Sequence, residues 1–132
     1  MSNSLSSRAI GANEAEARLP ESQRERSIAL FHHGTLTVKL YAPRGNDPQS
    51  PHTRDEIYVV IRGTGDFICA GERRKFAPHD FLFVPAAMEH RFENFSDDLA
   101  VRVFWPGRRR GRDVTWSNAF ARYGRQAIEN RL

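Results

Sequence analysis

Residues 51–65 read Pro-His-Thr-Arg-Asp-Glu-Ile-Tyr-Val-Val-Ile-Arg-Gly-Thr-Gly, and no other stretch limits the possible folds as much. The β-branched and aromatic run from Glu56 to Ile61 suits a pleated surface, so it reads as a strand. His52, Glu56, Tyr58 and Val60 share one parity. In a straight strand, residues four apart lie about 13 Å from each other. Donors bonded to one ion at about 2.1 Å must lie within roughly 4 Å of each other. If His52 and Glu56 serve one ion, the chain must turn at Thr53, Arg54 and Asp55. His52 then closes one strand and Glu56 opens the next.

Further strands follow at short spacing. Ser27 to Phe31 and Thr35 to Tyr41 flank His32-His33-Gly34, and Thr35, Thr37 and Lys39 alternate with Leu36, Val38 and Leu40. A loop rich in Pro and Gly, residues 43–48, delivers the chain to His52. Asp66 to Ala70 is a strand, Gly71-Glu72-Arg73 a hairpin turn, and Lys75-Phe76-Ala77 leads into Pro78-His79-Asp80. Phe81 to Val84 is a strand, followed by a tight turn and a strand opened by His90. Phe92, Asn94 and His90 share parity and are expected to point inward. Leu99 to Trp105 is the last strand, and Pro106-Gly107 closes it. Short strands punctuated by turns indicate an all-β sandwich or barrel.

The flanks differ. Asn13 and Glu16 have capping-box spacing, and Pro20 limits any helix there to a short one. Residues 1–26 are therefore an N-terminal extension, 27–107 the barrel and 108–132 a basic tail. Arg108 to Arg112 hold four arginines in five residues, read as a solvated tail rather than a nucleic-acid contact. From Ser117 a C-terminal helix is possible, weakened by Gly124.

Two motifs carry a resemblance. Glu56, six residues and Gly63 form the end of one, with His52 four residues before Glu56. Pro85, His90 and Asn94 mark the other. Over about residues 28–105 the chain resembles the cupin superfamily, as a small single-domain member. The resemblance implies a double-stranded β-helix, or jelly-roll barrel. It implies one divalent transition metal (Fe, Zn, Ni or Mn) held by His52, Glu56 and His90. It also suggests a homodimer and an oxygenase, isomerase or related small-molecule activity. Ser50 stands where the family has its first metal histidine, and His79 and Ala87 replace two glycines of the second motif. The usual four protein ligands are thus not implied. Ser50 is read as a spectator, the alternatives being that it holds a metal-bound water or that Gln49 replaces it functionally.

Two neutral imidazoles and a carboxylate suit a divalent transition ion and leave positions open for water, dioxygen or a chelating substrate. The candidate catalytic residues are Tyr58, which shares the Glu56 face, and Arg54, which could meet an anionic substrate. The expectation is a metal-binding cupin that acts on or binds a small polar molecule, in the manner of a dioxygenase or isomerase. The alternative is a non-catalytic binding or sensing protein.

Composition excludes other classes. Hydrophobic residues are 39% of the 132, with nine Phe, enough for one domain with a real core. No apolar run reaches membrane-spanning length, and the first residues lack a signal-peptide layout. The single cysteine, Cys69, rules out an internal disulfide and makes the cytoplasm the default compartment. No phosphate-cradling Gly-rich loop opens a helix, and no Gly-x-Ser-x-Gly elbow is present.

Overall fold

The structure, a computed structural model, describes residues 8–20 and 26–106. A short helix, α1 (Ala12–Ala17), precedes β1 (Ser27–His33), β2 (Leu36–Tyr41), β3 (Glu56–Arg62), β4 (Gly65–Cys69), β5 (Glu72–Phe76), β6 (Phe81–Val84), β7 (His90–Glu93) and β8 (Ala100–Trp105). The strands pair antiparallel in two sheets, ordered β1-β2-β8-β3-β6 and β5-β4-β7. This is the all-β jelly-roll architecture expected from the sequence. The Arg-rich run and the possible helix after Ser117 lie outside the described residues.

The space between the sheets is filled by Tyr41, Tyr58, Val60, Val84, Val101 and Val103 from one and Phe67, Phe76 and Phe92 from the other. The Phe92 ring anchors the contact, edge-on to Tyr58 at 5.2 Å and to Phe76 at 5.3 Å. Such pairs add about 0.5–1.5 kcal/mol beyond burial alone. A second core lies on the other face of the larger sheet. There Leu40, Ala42 and Ala100 pack against Ala15 and Leu19. The alternation in β2 therefore has a definite sense. Leu40 belongs to the helix-covered core, while Tyr41, and with it Lys39 by parity, belongs to the face between the sheets.

Three expectations are corrected. Asn13 does not cap α1: the cap is Gly11, with no side-chain bond, and Asn13 sits inside the first turn. Burial of Ala15 and Leu19 against the sheet sets the helix register and overrides the capping pattern. Lys75 and Phe76 are not connector but the end of β5, because Phe76 inserts into the core. His52 does not end a strand. Residues 42–55 form one long loop, in which Pro43, Pro48 and Pro51 lack the N–H a ladder needs. The chain does bend at Thr53 and Arg54 before Glu56 opens β3.

The two positions where glycine was expected keep a glycine conformation without glycine. His79 has φ 75° and Ala87 φ 66°. Each is the third residue of a turn, closed by Asp80 N–H to Ala77 O at 3.1 Å and by Met88 N–H to Pro85 O at 3.2 Å. The left-handed region costs a residue bearing a Cβ about 1–2 kcal/mol, part of which glycine loses again through its freer unfolded state. His79 is exposed, and its N–H bonds Val60 O, four residues along β3 from Glu56. His79→Gly should therefore stabilise the protein by about 0.5–1 kcal/mol in urea unfolding. A loss of stability would mean that the imidazole makes a compensating contact.

Candidate metal centre

Each sheet and the long loop deliver one part of the site. Glu56 opens β3 in the larger sheet, His90 opens β7 in the smaller, and His52 projects from the loop between β2 and β3. The loop is tied down by Asp47. Its carboxylate accepts from Tyr41 Oη, from Gln49 N–H at 3.2 Å, from Gln49 Nε2 at 2.8 Å and from Phe92 N–H at 2.9 Å. One side chain thus links β2, the loop and β7. The turn before His90 is joined to the same loop: Ala87 N–H donates to His52 O at 2.6 Å, and Ala86 N–H to Asp55 Oδ1 at 2.8 Å.

These contacts bring the three expected donors together. His90 Nε2 lies 3.1 Å and His52 Nε2 3.6 Å from Glu56 Oε1. One donor atom from each residue falls within 4.8 Å of the other two. Donors in adjacent positions of an octahedral ion, bonded at about 2.1 Å, lie roughly 3 Å apart, so this spacing suits one ion. Glu56 and His90 are buried, while His52 is half-buried at the opening.

The surrounding hydrogen bonds fix which atoms face inward. Met88 O, which can only accept, is 2.9 Å from His90 Nδ1, so that nitrogen carries the proton. The neutral ring then presents the Nε2 lone pair to the centre, the usual arrangement of a metal-binding histidine. Trp105 Nε1–H donates to Glu56 Oε2 at 2.7 Å, leaving Oε1 to point at both histidines. Tyr58 Oη lies 2.7 Å from Glu56 Oε1, 2.9 Å from Gln49 Oε1 and 3.0 Å from His90 Nε2.

The centre therefore holds more lone pairs than protons. A phenol has one O–H to share among three acceptors. A cation between them, a proton on His90 or a metal ion, would relieve the surplus. The ionisation tendencies say the same. Burial on its own pushes the Glu56 carboxyl up, but hydrogen bonds from His90, Trp105 and Tyr58 outweigh it and hold the group below its ordinary value. Burial likewise pulls His90 down, and its bonds to Glu56 and Met88 O reverse that and raise it. Burial, then the adjacent Glu56 charge, pushes the Tyr58 phenol well above its ordinary value, so it stays protonated.

The remaining candidates divide clearly. Tyr58 is buried and points inward with Phe92. Asn94 does not: it leaves the strand in a left-handed bend with φ 51° and donates to Asp66 Oδ2 at 3.1 Å. That bend ends the β7 alternation, so parity no longer applies there. Ser50 is exposed, whereas Gln49 turns its side chain into the site. Arg54 is half-buried, its guanidinium carbon 5.6 Å from the centre of the Trp105 ring. His32, His33 and His79 are all exposed.

Sequence reasoning missed Trp105, Asp47 and Lys39. Trp105 shares parity with Val101 and Val103, so a strand reading of the inner face could have found it. Lys39 Nζ lies 4.7 Å from the same indole ring. With Gln49, His52, Glu56 and Trp105 it lines a pocket of about 50 Å³ at the opening of the site. Asp47 has no sequence signal, because its bonds exist only once the loop has closed.

Comparison with known proteins identifies the family and the fold. A family model described as a cupin domain matches residues 37–107. A protein of Streptomyces coelicolor, itself uncharacterised, is 32% identical over 94 residues, covering 65% of this chain and 90% of its own. A Cupin 2 conserved barrel domain protein from Salinispora arenicola CNS-205 superposes with TM-score 0.56 at 21% identity, over 67% of this chain and 81% of the other. KdgF from Halomonas sp. gives 0.63 at 21%, over 76% and 94%. The DMSP lyase DddQ from Ruegeria pomeroyi DSS-3 gives 0.57 at 23%, over 74% and 51%. At these identities the structural likenesses establish the fold.

Proposed function

The chain belongs to the cupin family, and from that premise we propose that it is a metal-dependent protein acting on a small polar molecule with an anionic group. The convergence of His52 Nε2, Glu56 Oε1 and His90 Nε2, with the His90 tautomer set by Met88 O, carries the proposal. A divalent transition ion held by these three residues would supply a Lewis acid with open positions for a chelating ligand.

The chain's own groups account for the rest. Lys39 and Arg54, both beside Trp105, place two positive charges around the opening and favour a carboxylate or enolate over a neutral molecule. Trp105 and Met88 O hold Glu56 and His90 in their inward orientations. Tyr58 keeps its proton and offers it to a ligand oxygen that displaces its present partners, which makes it the candidate catalytic acid. A lyase stands among the structural neighbours, so this fold does host enzymes. Dioxygenase and isomerase chemistry are the two reaction classes favoured here.

A homodimer in the cytoplasm completes the proposal. Phe81, 64% exposed on the edge strand β6, supports a contact between copies. The lone cysteine supports a reducing compartment. No helix among the described residues is long and apolar enough to cross a membrane.

The test is reconstitution with Fe(II) without oxygen, then turnover and oxygen uptake across catechols, β-diketones and 2-hydroxy ketones. A substrate that chelates and carries negative charge should respond, and Tyr58→Phe should lower turnover more than binding. Tight binding of such molecules without any turnover would instead favour a non-catalytic sensing cupin.

A further inference from the structure

The family's first metal histidine is missing, and the residue at its motif position, Ser50, is exposed. The neighbouring side chain, Gln49, turns toward the site instead. Gln49 Oε1 lies 3.3 Å from His52 Nε2 and 2.9 Å from Tyr58 Oη. The 3.3 Å to His52 Nε2 matches adjacent donors around one octahedral ion, as do the 3.6 and 3.1 Å from Glu56 Oε1 to His52 and His90, while Tyr58 Oη is a hydrogen-bond partner of the same amide oxygen.

An amide can point either end at a site, so its orientation must be established. Here Asp47 decides it. The Asp47 carboxylate can only accept, and Oδ2 sits 2.8 Å from the Gln49 amide nitrogen. The nitrogen therefore faces Asp47 and the carbonyl oxygen faces the histidines. Asp47 is itself fixed by Phe92 N–H and Tyr41 Oη, so the amide rests on both sheets rather than on a loose loop. Aspartate is the residue that permits this: it binds the backbone N–H of Gln49 and its side-chain amide together.

We infer that Gln49 supplies, through Oε1, the fourth protein donor to the metal, with Asp47 as its positioning residue. This rests on the metal centre proposed above. A neutral amide oxygen replaces a neutral imidazole, so the net charge of the donor set is unchanged while its character shifts toward harder ions such as Mn(II) and Fe(II). An octahedral ion with four protein donors keeps about two open positions, enough for one bidentate ligand.

The test uses Mn(II) alone, titrated into wild-type protein, Gln49→Ala, Gln49→Glu and Ser50→Ala. Affinity comes from electron paramagnetic resonance, and the number of metal-bound waters from water-proton relaxation. Gln49→Ala should weaken binding at least about tenfold and add about one bound water. Gln49→Glu keeps the shape of the side chain and should tighten binding, so it reports even if the alanine variant folds poorly. Ser50→Ala should match the wild type. If wild-type protein binds one Mn(II) and Gln49→Ala leaves both affinity and hydration unchanged, Gln49 is no donor and the three-residue centre stands. Weaker binding with unchanged hydration would also overturn the inference, since it would make Gln49 a support for His52 and Tyr58. If the wild type binds no Mn(II), the harder donor set inferred here is wrong, and if a parallel titration shows no Zn(II) either, the metal centre itself fails.

Discussion

Replacing His90 with alanine should abolish the stabilisation that a divalent ion gives the wild-type protein. A ligand present at 100 times its dissociation constant raises the stability of the folded state by about 2.7 kcal/mol. His90 is the most committed of the three donors. It is buried, its tautomer is set by Met88 O, and its Nε2 is 3.1 Å from Glu56 Oε1. Losing a group that merely supports a ligand costs about 10–100-fold in metal affinity, so losing the ligand itself should cost more than about 100-fold. The variant will also be less stable without metal, because a buried carboxylate loses its partner. Glu56 retains Trp105 and Tyr58 as donors, so the fold should survive. Thermal melts with and without added metal separate the two effects: the wild-type melting temperature rises and that of His90→Ala does not. An equal rise in both would remove His90 from the site.

Gly63→Ala should destabilise the protein by about 2–5 kcal/mol, a large share of the 5–15 kcal/mol typical of a domain. Two causes add. Gly63 has φ 99°, which an alanine adopts only under strain. A Cβ there would also lie 2.7 Å from Leu99 Cα and 3.0 Å from Ser96 Oγ, and Leu99 is fully buried. The backbone of 96–99 cannot yield as the end of a flexible side chain would. Gly71→Ala is the control. It has φ 80° but open space around its Cβ, so only the conformational cost applies. Urea midpoints for both variants, read with unchanged slopes, isolate the steric part. Equal shifts would show that the link between β3 and β4 relaxes away from the Ser96–Leu99 turn.

Much of this was legible in the sequence, for reasons that can be named. The strands from Glu56 and Phe81 onward are short, apolar and punctuated by Gly, Pro and Asp, so local composition alone defines them. Glu56 and His90 were expected from the resemblance to the two cupin motifs, and each opens a strand, where parity gives it a face. His52 was recoverable from its spacing to Glu56, but its setting was not: a strand was expected and a loop was found. Three prolines prevent pairing there, and the order comes from Asp47, whose four acceptor bonds reach residues from Tyr41 to Phe92. No local pattern encodes such a bond set. The Gln49 orientation was hidden for the same reason. Lys39 was obscured because the apolar row of β2 is covered by α1, which leaves the polar row on the site side. Asn94 misled because strand parity was extended one residue past the bend at φ 51°. The capping pattern at Asn13 misled because burial of Ala15 and Leu19 decides the helix register.

The most direct test of the metal centre is an anomalous difference map from crystals of the wild-type protein grown with Mn(II) or Zn(II). One peak per chain should appear within about 2.0–2.3 Å of His52 Nε2, Glu56 Oε1 and His90 Nε2. A fully loaded solution with no peak between these atoms, or a peak held elsewhere on the chain, would contradict the account.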